Sequence, residues 1–233
     1  MNLTVLLQSM AADSMVSVTE QAAAQNAELN LLDMAMKGGW IMIPLLLLCI
    51  IAVYIFIERL VVIRKASRKD SSFMNRIKDY INEGKIDAAL TLCQNTDTPY
   101  ARMIGKGISR LGRPMNDVMV AIENVGNLEV SKLEKGLSIV ATISGGGPMI
   151  GFLGTVVGMI EAFYNMANAG NNIDVTNLAG GIYTAMVTTV AGLIVGIVAY
   201  FAYNYLITLV DKVVRDIEAH ALEFMDILNE PAN

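Results

Sequence analysis

Two threonines stand in the least charged stretches of this 233-residue chain. Thr155 lies in the run PMIGFLGTVVGMI (148–160) and Thr189 in NLAGGIYTAMVTTVAGLIVGI (177–197). A hydroxyl donates and accepts at once, so a pair of them can hold water or pass a proton while staying uncharged. Glycines surround both at helical spacing. Gly147, Gly151, Gly154 and Gly158 fall within about 60° of one another at about 100° per residue. Gly181, Ala185, Thr188, Thr189, Gly192, Gly196 and Ala199 share about 100° of arc. Faces this small let two helices approach closely in lipid. Tight packing alone would account for them, since a threonine in a membrane helix can simply bond back to a carbonyl one turn earlier. The sharper reading is two small faces whose threonines, Thr155 and Thr189, line a polar path near mid-membrane.

The elements that must carry these residues follow from where charge is missing. The chain is 54% hydrophobic and 17% charged, with a mean hydropathy of +0.49; soluble domains carry about a quarter charged residues. Residues 38–57, 136–160 and 175–210 contain no Asp, Glu, Lys or Arg. About 20 helical residues cross the hydrocarbon, so each gap is long enough, and the third predicts a continuous rod projecting beyond the bilayer. The expected fold is an all-α membrane protein of three transmembrane helices with long cytoplasmic helical extensions. Of the 17 Lys and Arg, 13 lie in 64–135, whereas the 162–174 connection has none. The positive-inside rule then places 64–135 and the C-terminal tail in the cytoplasm and the N-terminus outside.

The resulting division is an N-terminal periplasmic segment 1–37, a first span 38–63, a cytoplasmic helical domain 64–135, a second span 136–163, a periplasmic loop 164–176, a third span 177–208 and a cytoplasmic C-terminal helix 209–233. No basic n-region or cleavage site marks the start as a signal peptide. Leu29, Leu31, Leu32, Met34 and Met36 suggest a short interfacial helix, against a disordered lead. In the cytoplasmic domain, Phe73, Ile77, Tyr80 and Ile81 keep helical spacing, Glu83-Gly84-Lys85 turns, and Ile86, Ala89, Leu90 and Cys93 continue. Thr98-Pro99 reads as an N-cap followed by proline at the first helical position, and Leu111-Gly112-Arg113-Pro114 as a stop. From about Asn116 a helix is expected to enter the second span without a loop. Pro148 would open that span and free a carbonyl.

Several chemistries are disfavoured. One histidine and two cysteines do not build a usual four-ligand zinc site, and no Gly-x-Ser-x-Gly elbow or second histidine offers a hydrolase triad. No cofactor and no enzymatic activity are expected. A net charge of −5 argues against nucleic acid as a partner. Cys49 and Cys93, on different sides of the membrane boundary, should not pair, and His220 reads as a surface histidine. Two acids touch the spans. Glu58, beside Arg59, is either a locally paired interface residue or a relay; Glu161 is either a gate carboxylate or a water-exposed helix end. Neither is deep enough to carry a proton at mid-membrane.

The two glycine–threonine runs, in this order, together with MKGGWIMIPLLLL leading into YIFIERL, resemble the MotA/TolQ/ExbB proton-channel family over about residues 30–228, most closely its ExbB branch of Bacteroidetes type. The resemblance implies a homo-oligomeric ring in the bacterial inner membrane, expected to be a pentamer. It implies partners as well: an ExbD-like single-span protein with a transmembrane aspartate, and a TonB-like protein energised by the proton-motive force. The family's pore threonines fall on Thr155 and Thr189. A glutamate common in the third span is here Thr184, which joins Thr188 as a candidate on the proton pathway, and a later proline is Val198. With that glutamate missing, the expectation is a threonine-lined sleeve whose titrating acid belongs to the partner. A TolQ-like or gliding-type motor subunit is the nearest rival, a non-conducting membrane scaffold the rival of another class. A substrate transporter is weaker, for want of an inverted repeat.

Overall fold

The computed structural model describes residues 38–68, 70–168 and 175–229. The expected interfacial helix at 29–36 and residues 169–174 of the connection between the second and third spans lie outside them. Among the described residues all regular structure is helical: α1 (Met42–Ala66), α2 (Phe73–Asn82), α3 (Ile86–Asn95), α4 (Pro99–Ile108), α5 (Met115–Glu134), α6 (Leu137–Asn168) and α7 (Val175–Asn229). Three helical stretches among them are long and apolar enough to cross a membrane: Met42–Ala66 in α1, Met115–Asn168 through α5 and α6, and Leu178–Asn229 in α7.

The longest helix organises the rest. α7 runs unbroken for 55 residues, about 82 Å at 1.5 Å per residue. No proline interrupts it, and one side stays apolar to the end. Ala199, Leu206, Val210, Val213, Ile217 and Phe224 are all buried along this stripe. The short amphipathic helices α2 to α5 could bury little by themselves. They close over the charged half of α7, where Phe73, Ile77, Met103, Ile104, Ile108 and Ile122 join Val213, Ile217 and Phe224 in one core. A smaller cluster, Ala52, Ile55, Val140, Ile143 and Ala199, ties α1 to α6 and α7 within the apolar half. The outer faces of these helices stay apolar and exposed, as Leu46, Ile50, Phe152 and Phe201 show; the hydrophobic effect places such surfaces in lipid or against other chains.

Four local expectations change. α5 does not flow into α6: Lys135 and Gly136 interrupt the helix, with Gly136 at φ +84°. Glycine reaches this left-handed backbone without the steric cost of a Cβ, and the stop was masked in the sequence by good helix formers on both sides. Thr98 occupies the N-cap position of α4 with extended backbone, and Pro99 follows at the first turn, yet the Thr98 side chain makes no capping bond. Its hydroxyl is buried without a partner. Gly145 to Gly147 and Pro148 do not end or break α6; Gly147 and Pro148 pack against Gly192 and Gly196 of α7. His220 is half-buried rather than a surface group, stacked on Tyr100 with centroids 4.5 Å apart, its Nδ1 2.6 Å from the Asp216 carbonyl. Cys49 and Cys93 are both free, and burial pushes the Cys93 thiol up to about 11.

Candidate functional site

The α6–α7 interface is built largely from backbone atoms and small side chains. A Cβ added at Gly192 would lie 2.7 Å from the Gly147 carbonyl oxygen and 2.8 Å from the Gly151 Cα. One at Gly151 would lie 2.9 Å from the Thr188 carbonyl oxygen, and one at Gly158 3.0 Å from the Ala185 Cβ. Gly181 faces Ala162, Gly196 seats the Pro148 ring, and Gly154 receives the Thr188 side chain. All seven glycines singled out in the sequence therefore lie on this seam, where backbone approaches backbone.

That approach is what lets the hydroxyls meet. Thr155 Oγ1 and Thr189 Oγ1 are 2.5 Å apart, each able to donate to the other. Both also lie near the carbonyl oxygen of Gly151, Thr189 Oγ1 at 3.1 Å and Thr155 Oγ1 at 3.4 Å; with one proton on each hydroxyl, one donates to the other threonine and that one donates to this carbonyl. Gly151 has no side chain to shield this carbonyl, so one acceptor serves two helices. The threonine pair is half-buried at the open edge of the seam. In hydrocarbon, hydroxyls are tolerated when each has a partner, and this pair satisfies itself while keeping one side accessible.

The other candidates separate. Thr188 is 1% exposed and donates back to the Ala185 carbonyl at 2.7 Å; it fills the hollow at Gly154 and is the packing threonine of the pair. Thr184 is half-buried one turn away, its Cγ2 near Gly39 at the start of α1. Glu161 is exposed, where the glycine face continues through the buried Ala162. Glu58 is paired with Arg59 at 2.7 Å. Neither acid approaches the threonine pair.

One arrangement escaped the sequence reading. At the charged end of α1, Arg59 donates through Nη1 to the Lys132 carbonyl at 3.1 Å. That carbonyl is in the last turn of α5, left open by the break at Gly136, and a guanidinium there complements the negative end of the helix dipole. Lys132 in turn pairs with Glu129 at 2.6 Å, Glu129 with Arg102 at 2.6 Å, Arg102 with Asp97 at 2.7 Å and Asp97 with Lys65 at 2.7 Å. The network leaves α1 at Arg59 and returns to it at Lys65. Glu129 is 4% exposed; burial raises its carboxyl, but hydrogen bonds from Arg102 and Lys132 outweigh this and hold it below its ordinary value. Lys65 and Arg102 lower Asp97 as well. Glu129 and Lys132 are three residues apart on α5, a spacing the sequence offers, but only the fold brings Arg59, Lys65, Asp97 and Arg102 to them.

Three long apolar helices, two of them joined by a paired-hydroxyl contact on a glycine seam, define a membrane protein with a polar contact between apolar helices. Residues 95–219 match the MotA/TolQ/ExbB proton channel family, and the chain belongs to that family. It is 30% identical over 193 residues to a putative biopolymer transport protein ExbB homolog of Methanothermobacter thermautotrophicus, covering 81% of this chain and 67% of the relative. It is 28% identical over 221 residues to the Tol-Pal system protein TolQ of Haemophilus influenzae, covering 88% of this chain and 96% of the relative. With the biopolymer transport protein ExbB of Neisseria meningitidis it shares 27% over 192 residues, 78% of this chain and 87% of the relative.

Proposed function

We propose that the chain is the proton-channel subunit of an inner-membrane motor that turns proton-motive force into mechanical work. It energises TonB-dependent outer-membrane transport together with an ExbD-like single-span partner. The N-terminus and the 164–176 loop face the periplasm, while 64–135 and the tail lie in the cytoplasm, as the basic residues favour. The working form is a homo-oligomeric ring, a pentamer, embedded in the bilayer, with Thr155 and Thr189 lining its path. The role is that of a conduction subunit, not an enzyme, and needs no cofactor.

The observation that carries this reading is the contact of Thr155 and Thr189 over the Gly151 carbonyl, in spans whose only acids sit at their ends. A sleeve of hydroxyls can pass a proton to and from an acid but cannot store the charge itself. The carboxylate is therefore the partner's. Each charge crossing the full potential releases about 2.3 kcal/mol per 100 mV, available to bias one helix surface against another. The test is Thr155→Ala and Thr189→Ala, scoring energised uptake and partner assembly separately. Uptake should fall at least tenfold with assembly intact. Normal uptake in both variants would sink the reading, and loss of assembly alone would leave a scaffold.

A TolQ-like role is favoured by one specific observation, the near full-length match to the Haemophilus TolQ. Gene neighbours separate the two: an ExbD and TonB pair supports the first, Tol or gliding components the second.

A further inference from the structure

The charged half of α7 repeats the arrangement seen at the threonine pair. Thr189 follows the buried Thr188; in the same way Val214, Glu218 and Met225 follow the buried Val213, Ile217 and Phe224. Because α7 is unbroken, these residues stand on the side of the helix that carries Thr189, with Met225 ten turns of about 3.6 residues beyond it. There α5 lies alongside, and the two helices leave a groove of about 430 Å³. Met103, Met119, Gly126 and Met225 line it, and Glu123 and Glu218 stand at its rim. Gly126 keeps its floor open. Leu222 is 66% exposed and Met119 52%, apolar surface outside the membrane spans that water penalises. Methionines suit a surface that must adapt to a helix or an extended segment.

We propose that this groove docks the basic, amphipathic cytoplasmic tail of the single-span partner standing on the threonine face. The proposal rests on the function proposed above for the partner's position and extends it to a contact outside the membrane. Charge selects the occupant. The positive-inside rule makes a short cytoplasmic tail of a membrane span rich in Lys and Arg, whereas α7 beyond Val210 carries five acids, Asp211, Asp216, Glu218, Glu223 and Asp226, against Lys212 and Arg215. Length agrees. Val214 to Met225 lies about 37–54 Å along the helix from Thr189. After about 15 Å of half-bilayer, an extended tail of about 7–12 residues reaches the groove. Such a contact would fix the partner's register while its membrane helix works against the threonines.

The experiment uses the purified full-length chain in detergent and a dye-labelled twelve-residue lysine–leucine amphipathic peptide, followed by fluorescence anisotropy. The wild-type chain should bind it, more weakly as salt rises, and should bind a glutamate–leucine counterpart at least tenfold less well. Glu123→Lys with Glu218→Lys should weaken binding at least tenfold; both side chains are exposed, and Glu123→Gln with Glu218→Gln, a gentler pair, should weaken it about threefold. Leu222→Cys should cross-link to a cysteine-bearing form of the peptide, and the parent chain should not. Undiminished binding by the charge-reversed chain, equal affinity for the acidic peptide, or chain-to-chain cross-linking at Leu222→Cys that excludes the peptide would overturn the proposal. Uptake does not enter these readouts. A failed peptide assay leaves the threonine reading standing, and normal uptake without the two threonines removes that reading without touching the peptide result.

Discussion

At the residue scale, the meeting of Thr155 and Thr189 depends on residues that have no side chain. Replacing Gly192 with alanine would drive a methyl into backbone atoms at 2.7 and 2.8 Å, which rigid helices cannot yield cheaply. Gly192→Ala should therefore destabilise the α6–α7 pair by about 1–3 kcal/mol. Gly180→Ala, where nothing lies within 4 Å, should be neutral or slightly stabilising, by up to about 1 kcal/mol. Thermal unfolding in detergent compares the two, and equal losses would contradict the close-packed seam. Much of this was legible in the sequence, because helical periodicity maps small residues onto one face. The division of labour between Thr188 and Thr189 was not. Adjacent threonines differ by only about 100° on the wheel, and whether one fills a hollow or reaches a partner hydroxyl depends on Gly154 and Gly151 in another helix.

At the scale of elements, α1, α4 and α5 are held by the ion-pair network around Glu129. A carboxylate held below its ordinary value stabilises the fold in full above that value, and the contribution is lost as pH falls through the lower, folded one. The wild-type chain should thus weaken in acid, below about pH 4.5, and Glu129→Gln should flatten that part of the profile. At neutral pH the substitution should cost about 1–2 kcal/mol, since Glu129 is buried but its partners Arg102 and Lys132 are 42% and 68% exposed. Melting curves between pH 7 and pH 3 measure both; an unchanged acid slope would contradict the role given to Glu129. The helices α2 to α4 were legible from their periodicity and from turns at Gly84 and Gly112. The break at Gly136 was not, because a single glycine among helix formers does not usually stop a helix; Arg59, 73 residues before Lys132, satisfies the carbonyl that the break exposes. His220 was likewise unreadable: its place depends on Tyr100, a residue of α4.

At the scale of the whole molecule, one unbroken helix joins the threonine pair to the charged domain, and the seam it forms with α6 contains hydroxyls and, among the described residues, no acid. Charge scarcity in the sequence read directly as three spans. What it could not give was the mutual approach of two spans separated in sequence, which lipid-facing surfaces do not specify. The proposed account is that the chain supplies a path and a partner supplies the titrating group. The most direct measurement is proton flux into liposomes at an imposed potential, with the purified homo-oligomer alone and with its Asp-bearing single-span partner. The account predicts only background leak for the homo-oligomer and sustained flux for the complex, abolished when the partner's aspartate becomes asparagine. Flux through the homo-oligomer alone at the rate of the full complex would contradict it.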